Sequence, residues 1–242
     1  MELEEQQKYL HISDKYKLAG FYLEITSQCN MRCLHCYNDS GELQEEISMR
    51  AFNNIIADLE ENEGLTVTLS GGEPLLHPRI WDFIKAIKDK NFGNALMITN
   101  ATLIDENVAK KIVQANISIQ VSINGSCAET HDKLCGNGSF QRTLRGIDNL
   151  LAMNYHDNII VRCMLSNFNK NDILPFINMA VEKGIKNIII APLTLIGRSM
   201  NNAEGMYLNL AEKSEIIDFL NQSSEIASLK EQNNTCCQRV AR

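Results

Sequence analysis

Six short β-rich runs, at 21–26, 65–69, 95–99, 117–123, 158–165 and 187–191, alternate with stretches of helical periodicity, and this alternation restricts the available folds more than any other feature. A strand followed by a helix, six times over, is the pattern of a parallel sheet built with right-handed crossovers. The run Ile117-Ser118-Ile119-Gln120-Val121-Ser122-Ile123 alternates apolar and polar residues, whereas Ile188-Ile189-Ile190-Ala191 is continuously apolar, as in a strand covered on both faces. The expected fold class is α/β: a partial (βα)6 TIM-like barrel of parallel strands, with ligands beyond the carboxyl ends of those strands.

The helices are read from their buried stripes. Met49, Phe52, Ile55, Ile56 and Leu59 share one face of a helix over 49–59, with Ser48 placed to cap it. Pro78 suits a first helical turn before Ile80, Phe83, Ile84 and Ile87, and Asp105 caps a third helix through Val108 and Ile112. Three more are expected over 140–152, 173–183 with Gly184 as the stop, and 210–230. The expected organisation is a lead segment over 1–20, a barrel over 21–209, and over 210–242 a helix followed by the possible start of a further extension.

A chain of 242 residues with a net charge of −7 suits one barrel domain and argues against non-specific nucleic-acid or anionic-membrane partners. Its opening Met1-Glu2-Leu3-Glu4-Glu5 lacks the basic and apolar regions of a secretory signal, so a cytoplasmic location is expected. The eight cysteines then point to metal or redox use rather than to a disulfide framework.

Three of them fall in Cys29-Asn30-Met31-Arg32-Cys33-Leu34-His35-Cys36-Tyr37, a CxxxCxxC run directly after the first strand. Structural zinc closes with four ligands, and an ordinary [4Fe–4S] cluster takes four thiolates, so three thiols leave a position open. After the second strand comes Ser70-Gly71-Gly72-Glu73-Pro74, where two glycines let backbone approach a ligand and Glu73 carries a carboxylate suited to an ammonium group. A Gly-Gly pair alone is more often a tight turn.

CxxxCxxC followed by GGEP, at the ends of the first two strands of a six-fold βα pattern, resembles the radical S-adenosylmethionine (SAM) enzymes. The resemblance implies that Cys29, Cys33 and Cys36 hold three irons of a [4Fe–4S] cluster whose fourth iron takes SAM through its amino and carboxylate groups. It implies that Gly71, Gly72, Glu73 and Pro74 form the turn that holds the methionine amino group. Thr99-Asn100 and Ser122 match positions that contact the cofactor's ribose and carboxylate, although a strand-end Ser or Asn is more often a cap or turn residue. His35 and Tyr37 stand where relatives place a ring beside the adenine, with shielding of the cluster as the other role for His35. Arg162 and Ser166 are positioned to reach the carboxylate or ribose, and Ala191-Pro192 to line the adenine; core or capping roles are equally open.

Ser-Ile-Asn-Gly, His131-Asp132, Gly138-Ser139-Phe140 and Leu195-Ile196-Gly197-Arg198 look like the branch that bears a SPASM or twitch extension: peptide maturases, sulfatase activators, and heme or quinone cofactor enzymes. Two departures stand out: relatives usually carry Asp where Asn124 stands and Arg where Cys135 stands. Cys135, in a loop over the barrel mouth, and Cys127 are candidates for a hydrogen-atom donor or a nucleophile, free thiols without function being the plainer reading. Cys163, inside an apolar strand, reads as a buried structural thiol. Cys236-Cys237 look like the opening of an auxiliary-cluster extension, the other reading being a tail that carries two thiols.

The resemblance implies reductive cleavage of SAM to a 5′-deoxyadenosyl radical that abstracts hydrogen from substrate. It also implies a low-potential electron donor of flavodoxin or ferredoxin type and an anaerobic setting. A peptide or protein side chain is the first choice of substrate, and a heme- or quinone-type cofactor precursor the second. A non-enzymatic Fe–S or zinc-binding protein is the alternative from another class.

Overall fold

A computed structural model describes residues 18–222, apart from 61–63, 91 and 203. Most of the lead segment, the last helix beyond Gln222, and Cys236 and Cys237 lie outside the described residues. The described chain forms one parallel sheet of six strands in sequence order: β1 (Gly20–Thr26), β2 (Thr66–Gly71), β3 (Asn94–Thr99), β4 (Ser118–Ser122), β5 (Ile159–Leu165) and β6 (Asn187–Pro192). Each expected strand is present. Register is regular (Val67 opposite Ala95, Val121 opposite Val161) except for an irregularity between Glu24 and Thr26, where β1 turns toward the cysteine segment.

Helices α1 (Met49–Asp58), α2 (Ile80–Lys88), α3 (Glu106–Ala115), α4 (Ala128–Cys135), α5 (Ser139–Leu151), α6 (Ile173–Glu182), α7 (Arg198–Asn201) and α8 (Leu210–Gln222) complete the chain. Ser48 caps α1 by accepting from Ala51 N, and Asp105 caps α3 by accepting from Val108 N. The sequence signal for α4 was too weak, because its buried residues His131, Leu134 and Cys135 include a ring that reads as polar. Cys135 therefore ends a helix and is 5% exposed, a correction to the expected loop over the barrel mouth.

The outward strand residues Val67, Leu69, Met97, Ile119, Val121 and Val161 are fully or almost fully buried and join the helix stripes in one core. Within it Phe52 of α1 stacks on Phe83 of α2 at 4.1 Å between ring centroids. Burying such a side chain is worth about 1.5–3 kcal/mol, and the outer face is covered this way along its length. The inward residues Tyr22, Ser70, Ile98, Ser122 and Arg162 come from five different strands yet face one cavity, so the sheet is curled into an incomplete barrel. No helix of the described residues is long and apolar enough to cross a membrane.

Candidate functional site

The cavity lies at the carboxyl ends of the strands and opens to solvent, with about 830 Å³ of empty space when the open solvent at its mouth is counted. Cys29, Cys33 and Cys36 all line it, on the loop that leaves β1. Leu34 N donates to Leu134 O at 2.9 Å, fixing this loop against the end of α4. From the far side of the barrel Arg198 reaches back: its Nη1 donates to Cys33 O at 2.9 Å, its main-chain N to Cys36 O at 2.9 Å, and its Nη2 to Ser40 O. Asp39 balances the charge, with Oδ1 2.7 Å from Arg198 Nε. Gly197 is required beside it, because φ is +61° and a Cβ would stand 2.2 Å from Tyr37 O.

The turn after β2 faces the same cavity with bare backbone. A Cβ on Gly72 would lie 2.0 Å from Gln28 O, and Gly71 adopts φ +121° with its own Cβ position 2.2 Å from Thr26 O. Main-chain bonds from Gly72 N to Thr26 O and from Glu73 N to Gln28 O, both 2.7 Å, sew the turn to the start of the cysteine loop. Glu73 itself is fully buried and stands behind the turn, away from the cavity lining. Its Oε1 accepts from Thr99 Oγ1 at 2.7 Å and Leu75 N at 3.2 Å, and its Oε2 from Asn100 N at 2.8 Å. Pro74 is buried beside it and opens the short 3₁₀ turn that Glu73 caps.

Asn100, Ser122, Tyr37, His35, Thr99 and Arg162 do line the cavity. Ser166, Ala191 and Pro192 do not; Ser166 is bound instead to Asn169. Cys127 is exposed and apart from the cavity, and Cys163 is wholly buried in β5. Asp132 serves a structural purpose, accepting from Gly138 N, Ser139 Oγ and Phe140 N to start α5.

Sequence reasoning missed two contributors. Arg198 was visible only as part of a family-like phrase. Tyr22 follows from the two-residue period of β1, in which Phe21, Leu23 and Ile25 pack outward while Tyr22 and Glu24 face the interior. Its hydroxyl meets those of Tyr37 at 2.7 Å and Ser70 at 2.5 Å, and Tyr37 donates on to Glu24 at 2.8 Å.

Burial governs the protonation of the site. It pushes the Cys29 thiol up to about 12 in the metal-free chain, and a hydrogen bond with Cys135, followed by burial, holds Cys33 well above the ordinary thiol range. Such thiols ionise when a metal replaces the proton. Burial first, then the nearby His131, Arg198 and Arg162, lowers His35 to about 4 and keeps it neutral, while burial raises Glu73 to about 7. Tyr37 is also raised, by burial and then by the Tyr22 contact.

The donor set fits the cofactors named above. Three thiols line one cavity, although among the described residues no three His, Cys, Asp or Glu side chains are gathered as ligands of a single ion. His35 Nδ1 and Arg162 Nε are buried without a protein partner on residues that line it, leaving donors for a bound group. The glycine backbone supplies a wall that no larger residue could form.

A model described as the Radical SAM superfamily matches residues 23–180. The chain is 28% identical to the mycofactocin maturase MftC of Mycobacterium ulcerans, over 81% of this chain and 53% of that protein. It is 30% identical to the Fe-coproporphyrin III synthase of Methanosarcina barkeri, over 81% of this chain and 49% of that one. The chain thus spans about half the length of the curated relatives it matches. Its fold is similar to the crystal structure of Streptococcus suis SuiB bound to S-adenosylmethionine, with a TM-score of 0.74 and 13% identity, covering 93% of this chain and 51% of SuiB. SuiB bound to precursor peptide SuiA matches with a TM-score of 0.72 and 15% identity, over 91% and 48% of the two chains.

Proposed function

This chain belongs to the radical SAM superfamily, and from that membership we propose that it is the barrel core, over 21–209, of an enzyme that cleaves SAM reductively and abstracts hydrogen from a peptide or protein side chain. The observation that carries the reading is the meeting of Cys29, Cys33 and Cys36 with the bare Gly71-Gly72 backbone on one cavity. In the proposal the three cysteines hold a [4Fe–4S] cluster, which with SAM and one electron from a low-potential donor supplies a 5′-deoxyadenosyl radical.

The chain's own residues bind and orient. Gly71 and Gly72 bring main-chain groups to the methionine amino end, and Glu73 holds that turn rigid from behind. Arg162, with an unpartnered Nε, and Ser122 take the carboxylate, Asn100 the ribose, and His35 and Tyr37 flank the adenine. Met31, Ile98 and Met164 line the remainder with apolar surface that excludes water. The setting of the proposal is an anaerobic cytoplasm.

Similarity to MftC supports the peptide substrate, and that to Fe-coproporphyrin III synthase supports a second reading, a small precursor of a heme-type cofactor. The test is anaerobic reconstitution with iron and sulfide, reduction with SAM present, and assay of 5′-deoxyadenosine against Cys33→Ala. Product from the native chain alone is expected. A protein that fills with zinc, takes up no cluster and yields no 5′-deoxyadenosine refutes the reading in favour of a non-enzymatic metal protein. Modification of a genetically linked short peptide, rather than a porphyrin, separates the two substrate classes.

A further inference from the structure

Asn100, at the end of β3, lines the cavity, while Asn30 of the cysteine loop and Thr102 stand outside its lining. The three side chains close a ring of hydrogen bonds. Asn100 Nδ2 donates to Asn30 Oδ1 at 2.9 Å, Asn30 Nδ2 to Thr102 Oγ1 at 2.8 Å, and Thr102 Oγ1 back to Asn100 Oδ1 at 2.6 Å. All three donors run in one sense around the ring, so each bond polarises the next. The orientation of the Asn100 amide is decided independently, because its Oδ1 also accepts the main-chain N–H of Thr102 at 2.9 Å and only oxygen can do so.

The backbone beneath the ring is held at each step. Asn100 N donates to Glu73 Oε2 at 2.8 Å, and Asn100 O accepts from Thr143 Oγ1 at 2.9 Å. Ala101 follows with φ +60°, a left-handed conformation uncommon for a residue with a Cβ, and its N donates to Thr99 Oγ1 at 2.9 Å. That turn brings Thr102 N back to the Asn100 side chain. Both lone pairs of Asn100 Oδ1 are thereby taken, as is one hydrogen of Nδ2. The other hydrogen is uncommitted among the described residues, so the side chain offers the cavity a donor and no acceptor.

We propose that Thr102 and Asn30 are positioning residues that hold Asn100 as a one-way donor, so that a ribose hydroxyl of bound SAM is received as an acceptor. The inference rests on the place proposed above for SAM in the cavity. Its physical basis is preorganisation: an untethered amide can swing about and present either end, whereas the ring fixes one polarity before the ligand arrives. Because Asn30 adjoins Cys29, the same ring ties the ribose contact to the loop that bears the thiols.

The test is calorimetric binding of S-adenosylhomocysteine and of its 2′-deoxy and 3′-deoxy ribose forms to the oxidised, cluster-loaded chain. Failure of the native chain to load or to bind S-adenosylhomocysteine refutes the proposed site and the inference with it; the variants address the inference alone. The native chain is expected to bind at least one deoxy form more weakly, by roughly three- to tenfold, the scale of one neutral hydrogen bond. Thr102→Val keeps the main-chain bond and the shape but removes the hydroxyl. It is expected to weaken S-adenosylhomocysteine by a similar factor, to leave that deoxy form nearly unchanged, and so to bring their ratio toward one. Thr102→Ser, which restores the hydroxyl, is expected to bind as the native chain does. Asn30→Ala, which opens the ring from the cysteine loop, must shrink the ratio in the same direction and answers for Thr102→Val should that variant not fold. A native chain that binds all three ligands alike, a Thr102→Val or Asn30→Ala chain that weakens all three by one factor or keeps the native ratio, or a Thr102→Ser chain that behaves as valine does overturns the inference.

Discussion

The buried carboxylate of Glu73 accepts the main-chain N–H of Asn100 at 2.8 Å, tying the turn after β2 to the end of β3. The cost of this brace depends on pH. Burial raises the Glu73 carboxyl to about 7, so between its unfolded value of 4.5 and about 7 the folded chain keeps a proton that the unfolded chain releases. Stability from this group therefore falls as pH rises through that window and is level above it, by a total on the order of 3 kcal/mol. Urea unfolding of the metal-free chain is expected to show this decline, and Glu73→Gln to flatten it. Glu73→Gln also weakens SAM binding by loosening the turn, which isothermal titration of the loaded protein measures.

Gly72→Ala tests the close approach of the two loops. Its Cβ would stand 2.0 Å from the carbonyl of Gln28, and backbone cannot yield as a flexible side chain can. The cysteine loop must shift, so iron uptake on reconstitution is expected to drop severalfold while the far-ultraviolet circular dichroism stays native. Normal iron content in Gly72→Ala contradicts the close approach.

Arg198→Met removes the guanidinium from the carbonyls of Cys33 and Ser40 and leaves Asp39 without its cation. Hydrogen bonds to a charged group are worth roughly 1.5–3 kcal/mol each, and the loss falls on the loop rather than the barrel core. Protease cleavage within 29–40 is expected to rise sharply in the metal-free variant, with a melting temperature lower by several degrees.

Thiol labelling separates the cysteines without any metal. At pH 8 in the metal-free chain, iodoacetamide is expected to modify the exposed Cys127 fast and Cys29, held up to about 12 by burial, slowly. Cys163, raised by burial and then by the charge of Asp172, is expected to stay unmodified until the chain unfolds. Mass spectrometry of timed samples gives the order, and early labelling of Cys163 contradicts the buried β5.

What the sequence disclosed was local in origin. The alternation within β1 and β4 and the stripe of Phe83, Ile84 and Ile87 follow from strand and helix periods of two and 3.6, so six strands and most helices were readable. The three thiols and two glycines were readable because their spacing is short. Glu73 could be identified but not oriented, since its side of the turn is decided by Thr99 and Asn100, 26 and 27 residues away. The clasp of Arg198 on Cys33 spans 165 residues and is made to a carbonyl, which every residue type offers, so no pattern marks it. Asn124 and Cys135 were noticed singly; only α4 brings them together.

The reach of Arg198 across the barrel also orders events during synthesis. Ribosomes deliver the three cysteines long before α7, and until that helix emerges the cysteine loop lacks its anchor from the far edge of the sheet. A nascent chain halted after β5 would thus carry the three thiols without the clasp. The loop that bears the three thiols is accordingly among the last parts of the barrel to be fixed in place, set only once the sixth repeat has docked.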